Sequence, residues 1–127
     1  MLNQIVHFEI IGREPAALRA FYRSLFGWEA DTRAPVAPEV SDAGEYGFID
    51  APPAQSGVAG GIGGGPGFAP HALFYVGVDD VETALELAER LGGKRMLGPA
   101  ENTDGAVVVG HFADPEGNVV GVAAPRK

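Results

Sequence analysis

The sequence repeats one arrangement of strand and helix twice along the chain. An alternating segment that contains His7 precedes an apolar helical stripe starting at Leu18, and a segment beginning at His71 precedes a second stripe starting at Val81, at nearly the same distance. Further strand-like segments follow each helix. Each half spans about 60 residues, which is too short to bury a stable core alone. The repeat therefore predicts two βαβββ modules that share one core.

The first module begins with an alternating strand at residues 5–11, which places His7 and Glu9 on one face and apolar side chains on the other. A helix is predicted from Pro15 to Phe26, because proline suits a first helical turn and Gly27 suits a helix end. Strands are predicted at 28–30 and 46–49. The apolar stripe of the helix, which is expected to be buried, consists of Leu18, Phe21, Tyr22 and Leu25.

Residues 51–70 are rich in glycine and proline, a composition that suits a linker between domains. Val58 and Ile62 lie within this segment and favour a glycine-bearing strand instead. Glycines are typical of strands that another backbone or a ligand approaches closely. A phosphate-binding loop is not indicated, because the segment lacks the strand–glycine–helix order.

The second module contains a strand at 71–78, a helix from Asp80 to Leu91 and a strand at 94–97. Its last feature is a hairpin at 106–123, in which two runs of apolar residues flank the turn Asp114-Pro115-Glu116-Gly117-Asn118. Proline fixes φ in such a turn, and glycine supplies the positive φ that closes it. This hairpin is the most specific signal in the sequence.

The composition limits the classes of protein. With 127 residues, of which 46% are hydrophobic, residues 1–127 are expected to form one domain. The chain contains no cysteine, which excludes disulfides and favours a reducing cytoplasmic location. Its formal net charge of −8 opposes binding to nucleic acid or to anionic membranes. The N-terminal segment does not have the pattern of a signal peptide, and no apolar run is long enough for a membrane span.

The segments HFEI, AFYRSLFGWE, YVGVDDVETAL, LGGK and FADPEGNVVGV together resemble the vicinal oxygen chelate superfamily. This superfamily includes glyoxalases, bleomycin-resistance proteins and extradiol dioxygenases. The resemblance implies an α+β fold in which two paired βαβββ modules, at about 1–65 and 66–127, form a curved mixed sheet with the helices on its convex side. It also implies a small-molecule ligand in the cleft of the sheet and a homodimer.

The resemblance further implies a metal site. His7 and His71 match the two histidine ligands of metal-binding members, but Gly121 stands where those members have a glutamate. A divalent metal (Zn, Fe, Ni or Mn) would then need Glu9 or His111 to complete its ligand set. Each histidine also has a structural interpretation, as a hydrogen-bonded or exposed strand residue.

Three functions remain open on this basis. The first is a metal-dependent lyase, isomerase or oxygenase in which Glu9 moves a proton and is the catalytic residue. The second is a metal-free protein that binds and sequesters a small drug or metabolite, and the third is an accessory domain that acts through its dimer surface. The residues expected to contact the ligand are Leu73, Tyr75 and His111.

Overall fold

The structure is a computed structural model that describes residues 2–51 and 57–126. Seven strands and two helices are found in these ranges. The first half contains β1, α1, β2 and β3, and the second contains β4, α2, β5, β6 and β7. In chain order they are β1 (Ile5–Gly12), α1 (Pro15–Phe26), β2 (Gly47–Ile49), β3 (Gly60–Gly64), β4 (His71–Gly77), α2 (Val81–Arg90), β5 (Lys94–Glu101), β6 (Val107–Ala113) and β7 (Val119–Pro125).

The strands form one open, curved, mixed sheet in the order β2-β3-β1-β4-β7-β6-β5. The central strands β1 and β4 are antiparallel to each other. Each then has a parallel neighbour from its own half, β3 beside β1 and β7 beside β4. The two halves thus repeat the same pairing on either side of the centre, and the predicted α+β fold is confirmed. Their division near residue 65 as separate modules stays a prediction.

The first half has one strand fewer than predicted. The segment expected to form a strand at 28–30 makes only an isolated antiparallel bridge, between Asp31 and Phe48. The predicted glycine-bearing strand is present as β3, whose five residues are all buried between β1 and β2. Part of the predicted segment, residues 52–56, lies outside the described residues.

Local signals set the helix ends. Helix α1 has proline in its first turn and ends at Gly27, which takes a left-handed conformation with φ 74°. Helix α2 begins after Asp80, whose carboxylate accepts a hydrogen bond from the backbone N–H of Thr83 at 2.9 Å. The predicted bounds of α2 are therefore one residue too wide at each end.

Both helices lie on the same face of the sheet. A Cβ atom placed on Gly12 of β1 would contact Leu18 of α1 at 3.0 Å, and one placed on Gly110 of β6 would contact Leu85 of α2 at 2.8 Å. Because side chains alternate along a strand, the neighbouring His111 points to the opposite face. The convex helical layer is thereby separated from a concave face that holds the histidines.

The prediction that the α1 stripe is buried is wrong, because none of its four residues is fully buried. Leu18 and Tyr22 are half-buried, but Phe21 is 57% exposed and Leu25 is 56% exposed. Helix α1 packs on β1 and β3. The next strand, β2, has only three residues, so this side of the sheet is too narrow to cover the whole stripe. In the described ranges, no helix is long and apolar enough to cross a membrane.

Candidate functional site

The concave face of the two central strands carries the site. His7 lies directly opposite Tyr75, and Glu9 lies directly opposite Leu73, in the antiparallel pair of β1 and β4. The register shifts between Ile5 and His7, where β1 has one extra residue. The shift precedes His7, so the predicted alternation of His7 and Glu9 on one face is retained.

The paired positions that begin with His7 and Tyr75 continue across the strands of the second half of the sheet. Tyr75 pairs with Gly121 of β7, and Gly121 pairs with His111 of β6. Gly121 leaves no empty space on this face, because a Cβ atom at this position would overlap three atoms of the Tyr75 ring. The aromatic ring thus occupies the space into which a carboxylate at position 121 would extend.

Glu9 is the centre of a hydrogen-bond network. Its side chain is buried, with 1% of the residue exposed. The Tyr46 hydroxyl donates to Oε1 of Glu9 at 3.0 Å, and the Tyr75 hydroxyl donates to Oε1 at 3.0 Å and to Oε2 at 3.1 Å. Two neutral donors from different halves of the chain therefore hold one buried carboxylate.

Each of these two tyrosine hydroxyls also contacts a histidine. Nε2 of His7 is 2.8 Å from the Tyr46 hydroxyl, and Nε2 of His111 is 2.8 Å from the Tyr75 hydroxyl. A tyrosine hydroxyl has one proton. When both hydroxyls donate to ionised Glu9, both histidines must donate their Nε2–H to the tyrosine oxygens. We call these five side chains the Glu9 network: His7, Tyr46, Glu9, Tyr75 and His111.

Burial controls the charges in this network. It raises the pKa of Glu9 to about 7, although the hydrogen bonds from Tyr46 and Tyr75 act in the opposite direction. Burial lowers the pKa of His7 to about 4. It also lowers the pKa of His111 to about 4, with a smaller contribution from the charge of His71. The two histidines are therefore neutral at pH 7, and Glu9 titrates near neutrality.

A cavity of about 230 Å³ opens beside the Glu9 network. His7, Glu9, Tyr46 and Tyr75 contribute its polar groups, and nearly all other lining residues are apolar. Such a cavity can enclose the apolar body of a small molecule and orient it by a few polar contacts. The remaining lining residues are Val6, Val36, Val40, Phe48, Asn102, Val107, Val109 and Ala123.

The predicted site residues do not all lie in one site. Tyr75, His7, Glu9 and His111 come together in the Glu9 network. His71 is exposed, lies opposite Ile11, and has its Nδ1 2.9 Å from the Ala69 carbonyl oxygen. Four residues along β1 correspond to about 13 Å, so His71 and His7 lie too far apart to share one ion.

Leu73 is buried opposite Glu9 but is not among the described residues that line the cavity. Tyr46 was missed as a site residue. It was predicted as the first residue of a strand at 46–49, but β2 begins at Gly47, so strand alternation does not give the direction of the Tyr46 side chain. The glycines of β3 were the sequence signal that could have indicated this position, since a strand without side chains leaves room for an aromatic ring beside it.

The arrangement does not fit a divalent metal. Among residues 2–51 and 57–126, no three histidine, aspartate or glutamate side chains are grouped so that they could hold a metal ion. Nε2 of His7, Nε2 of His111 and both oxygens of Glu9 are instead paired with tyrosine hydroxyls. Histidine and glutamate are suitable metal ligands, but here their nitrogen and oxygen atoms form hydrogen bonds instead of converging on one ion.

Sequence comparison identifies the family. The sequence model of the Glyoxalase/Bleomycin resistance protein/Dioxygenase superfamily matches residues 4–122, so the chain belongs to this superfamily. This confirms the resemblance found in the sequence. No curated protein matches the chain in sequence.

Solved structures share the fold at low sequence identity. A point variant of methylmalonyl-CoA epimerase from Streptomyces coelicolor, in complex with 2-nitronate-propionyl-CoA, has a TM-score of 0.68 and 17% identity over 98% of this chain and 95% of that chain. A hypothetical protein from Bacillus halodurans C-125 has a TM-score of 0.66 and 12% identity, covering 100% and 97%. A superfamily member from Vibrio splendidus 12B01 has a TM-score of 0.56 and 16% identity, covering 97% and 99%. At these identities the likeness concerns the fold alone.

Proposed function

We propose that this protein binds a small organic cation in the cavity beside Glu9 and that binding does not require a metal. One observation carries the proposal: a carboxylate that is 1% exposed faces a largely apolar cavity and is held by hydroxyl groups. No ion pair involves Glu9 in the described part of the chain. A buried carboxylate without a cationic partner is costly, and a ligand ammonium group would supply that partner.

The shape and polarity of the cavity support a ligand of limited size. Valine side chains and Phe48 form its walls, so the body of the ligand is apolar or aromatic. At pH 7 both histidines of the network are neutral, as judged from their lowered pKa values. Above pH 7, where Glu9 is ionised, an ammonium group therefore meets negative charge at Glu9 without opposing charge from His7 or His111.

Three probes that differ in the charge of one group test this proposal. Benzylammonium, benzyl alcohol and benzoate share a ring and carry a positive, neutral and negative group. We expect benzylammonium to bind at least about tenfold more tightly than benzyl alcohol, a difference of about 1.4 kcal/mol, and benzoate to bind most weakly. Isothermal titration calorimetry on chelator-treated protein at pH 8 measures all three affinities.

Glu9→Gln is the matched control, because glutamine keeps the size of the side chain and removes its charge. This variant is expected to bind benzylammonium no better than benzyl alcohol. Tightest binding of benzoate, or equal preference in wild type and variant, would contradict the cationic ligand. An increase in benzylammonium affinity on addition of zinc would contradict the metal-free part of the proposal.

Proton transfer by Glu9 is the second candidate function. A pKa of about 7 is suited to a general acid or base at neutral pH, and Glu9 lines the cavity. A lyase or isomerase reaction of this kind would use Glu9 as the catalytic residue. In this arrangement the hydroxyls of Tyr46 and Tyr75 orient the carboxylate and stabilise its ionised form.

A homodimer and a cytoplasmic location are further parts of this proposal. Phe21, Leu25 and Phe26 form an apolar surface on α1, each more than half exposed, and a surface of this kind suits an interface with a second copy.

Light scattering at micromolar concentration is expected to give twice the chain mass of 13.2 kDa. Leu25→Ser is expected to shift the mass towards the monomer, whereas a monomeric wild type would exclude this interface.

A further inference from the structure

Two glycines give the tyrosines of the Glu9 network their positions. Tyr46 lies against Gly61 of β3, and Tyr75 lies against Gly121 of β7. A Cβ atom at Gly61 would overlap the ring and hydroxyl of Tyr46, and one at Gly121 would overlap the ring of Tyr75. Neither glycine has a positive φ. Their backbone conformation is open to other residues, so the constraint at both positions is space.

The positions of the two tyrosine rings determine how the Glu9 carboxylate is hydrogen-bonded. An ionised carboxylate offers about four acceptor positions. Tyr46 uses one contact to Oε1, and Tyr75 contacts both oxygens. Since each hydroxyl has one proton, these contacts amount to two hydrogen bonds and occupy about half of the acceptor positions; the others remain for one cationic group of the ligand. A metal ion would need carboxylate oxygen and further donors that are free of such bonds.

We propose that Gly61 and Gly121 are specificity-determining positions of the cavity: by leaving room for two tyrosine rings, they direct both hydroxyls to Glu9 and reserve the carboxylate for a single cationic donor group. The inference rests on the proposed function, since it concerns the ligand of the same cavity. Gly61 and Gly121 are positioning residues, because they act through Tyr46 and Tyr75 rather than by contact with the ligand.

Gly121→Ala and Gly61→Ala test the inference. Each variant is expected to displace its tyrosine and to reduce the preference for benzylammonium over benzyl alcohol by at least fivefold. A proton NMR spectrum provides a readout that needs no ligand. The buried tyrosine hydroxyl protons of the wild type are expected to exchange slowly and to be visible, and each variant is expected to lose one of these signals. Gly67→Ala is the control, because a Cβ atom there meets nothing within 4 Å.

A purely structural role would give a different result. In that case Gly121→Ala would lower the melting temperature but leave the hydroxyl signals and the ratio of the two affinities unchanged, which would overturn the inference. If Gly121→Ala does not fold, the double variant Gly121→Ala/Tyr75→Ala is expected to fold, because the overlapping ring is gone, and to lack the ligand preference. Failure of this double variant to fold would also overturn the inference.

The inference and the proposed function fail separately. Wild-type protein that shows no preference for benzylammonium contradicts the proposed function, whatever the hydroxyl signals do. Unchanged hydroxyl signals in Gly61→Ala and Gly121→Ala contradict the positioning role, even when the wild type prefers benzylammonium.

Discussion

Replacing Glu9 by glutamine is expected to stabilise the protein at pH 8 by up to about 3 kcal/mol. Burial raises the pKa of Glu9 from 4.5 to about 7 in the folded protein. Between these values the folded state holds a proton that the unfolded state has released. The free energy of unfolding contributed by Glu9 therefore falls as the pH rises from 4.5 to 7 and stays low above pH 7. Glutamine avoids this cost because it is neutral at every pH.

Urea unfolding of wild type and Glu9→Gln at pH 4.5 and pH 8 measures this difference. The two proteins are expected to be nearly equally stable at pH 4.5, where Glu9 is protonated in the folded state. Glu39→Gln changes an exposed carboxyl and is expected to show no comparable gain at pH 8. A less stable Glu9→Gln at pH 8 would mean that the bonds from Tyr46 and Tyr75 to the ionised carboxylate outweigh its burial.

Acidification is expected to destabilise the protein through its two buried histidines. Burial lowers the pKa of His7 and of His111 from 6.5 to about 4. Between these values the unfolded state binds protons that the folded state does not, so the stability contributed by each histidine is present above pH 6.5 and lost as the pH falls to 4. The linked change is about 3 kcal/mol for each histidine. Glu9 opposes it over a similar range, which leaves a net loss of about 3 kcal/mol.

The double variant His7→Gln/His111→Gln isolates this effect. Its free energy of unfolding, measured in urea between pH 4 and 7, is expected to lack the acid loss and to show the opposite slope caused by Glu9. His71→Gln is the control, because His71 is exposed and contributes only the smaller part of the His111 pKa shift, and it is expected to keep most of the acid loss of the wild type. Equal acid sensitivity of wild type and double variant would show that His7 and His111 are not desolvated in the folded state.

Much of the fold was predictable because its signals are local. The terminal hairpin is confirmed, and its turn is closed by the Asp114 carboxylate, which accepts from the backbone N–H groups of Glu116 and Asn118 at 2.9 Å. Pro15 and Gly27 mark the ends of α1 as predicted. The exposure of Phe21 and Leu25 was not predictable, because it depends on the width of the sheet under the helix rather than on the helix itself.

The sequence by itself determined the strand–helix repeat, the family and the common face of His7 and Glu9, because these depend on the spacing of residues within one strand or helix. Only the tertiary structure decided that Tyr46 joins the site, that His71 lies outside it and that the Tyr75 ring covers Gly121. Those outcomes depend on strand register and on the space left by glycines in other strands. Such space is a property of the packed sheet, and no spacing along the chain encodes it.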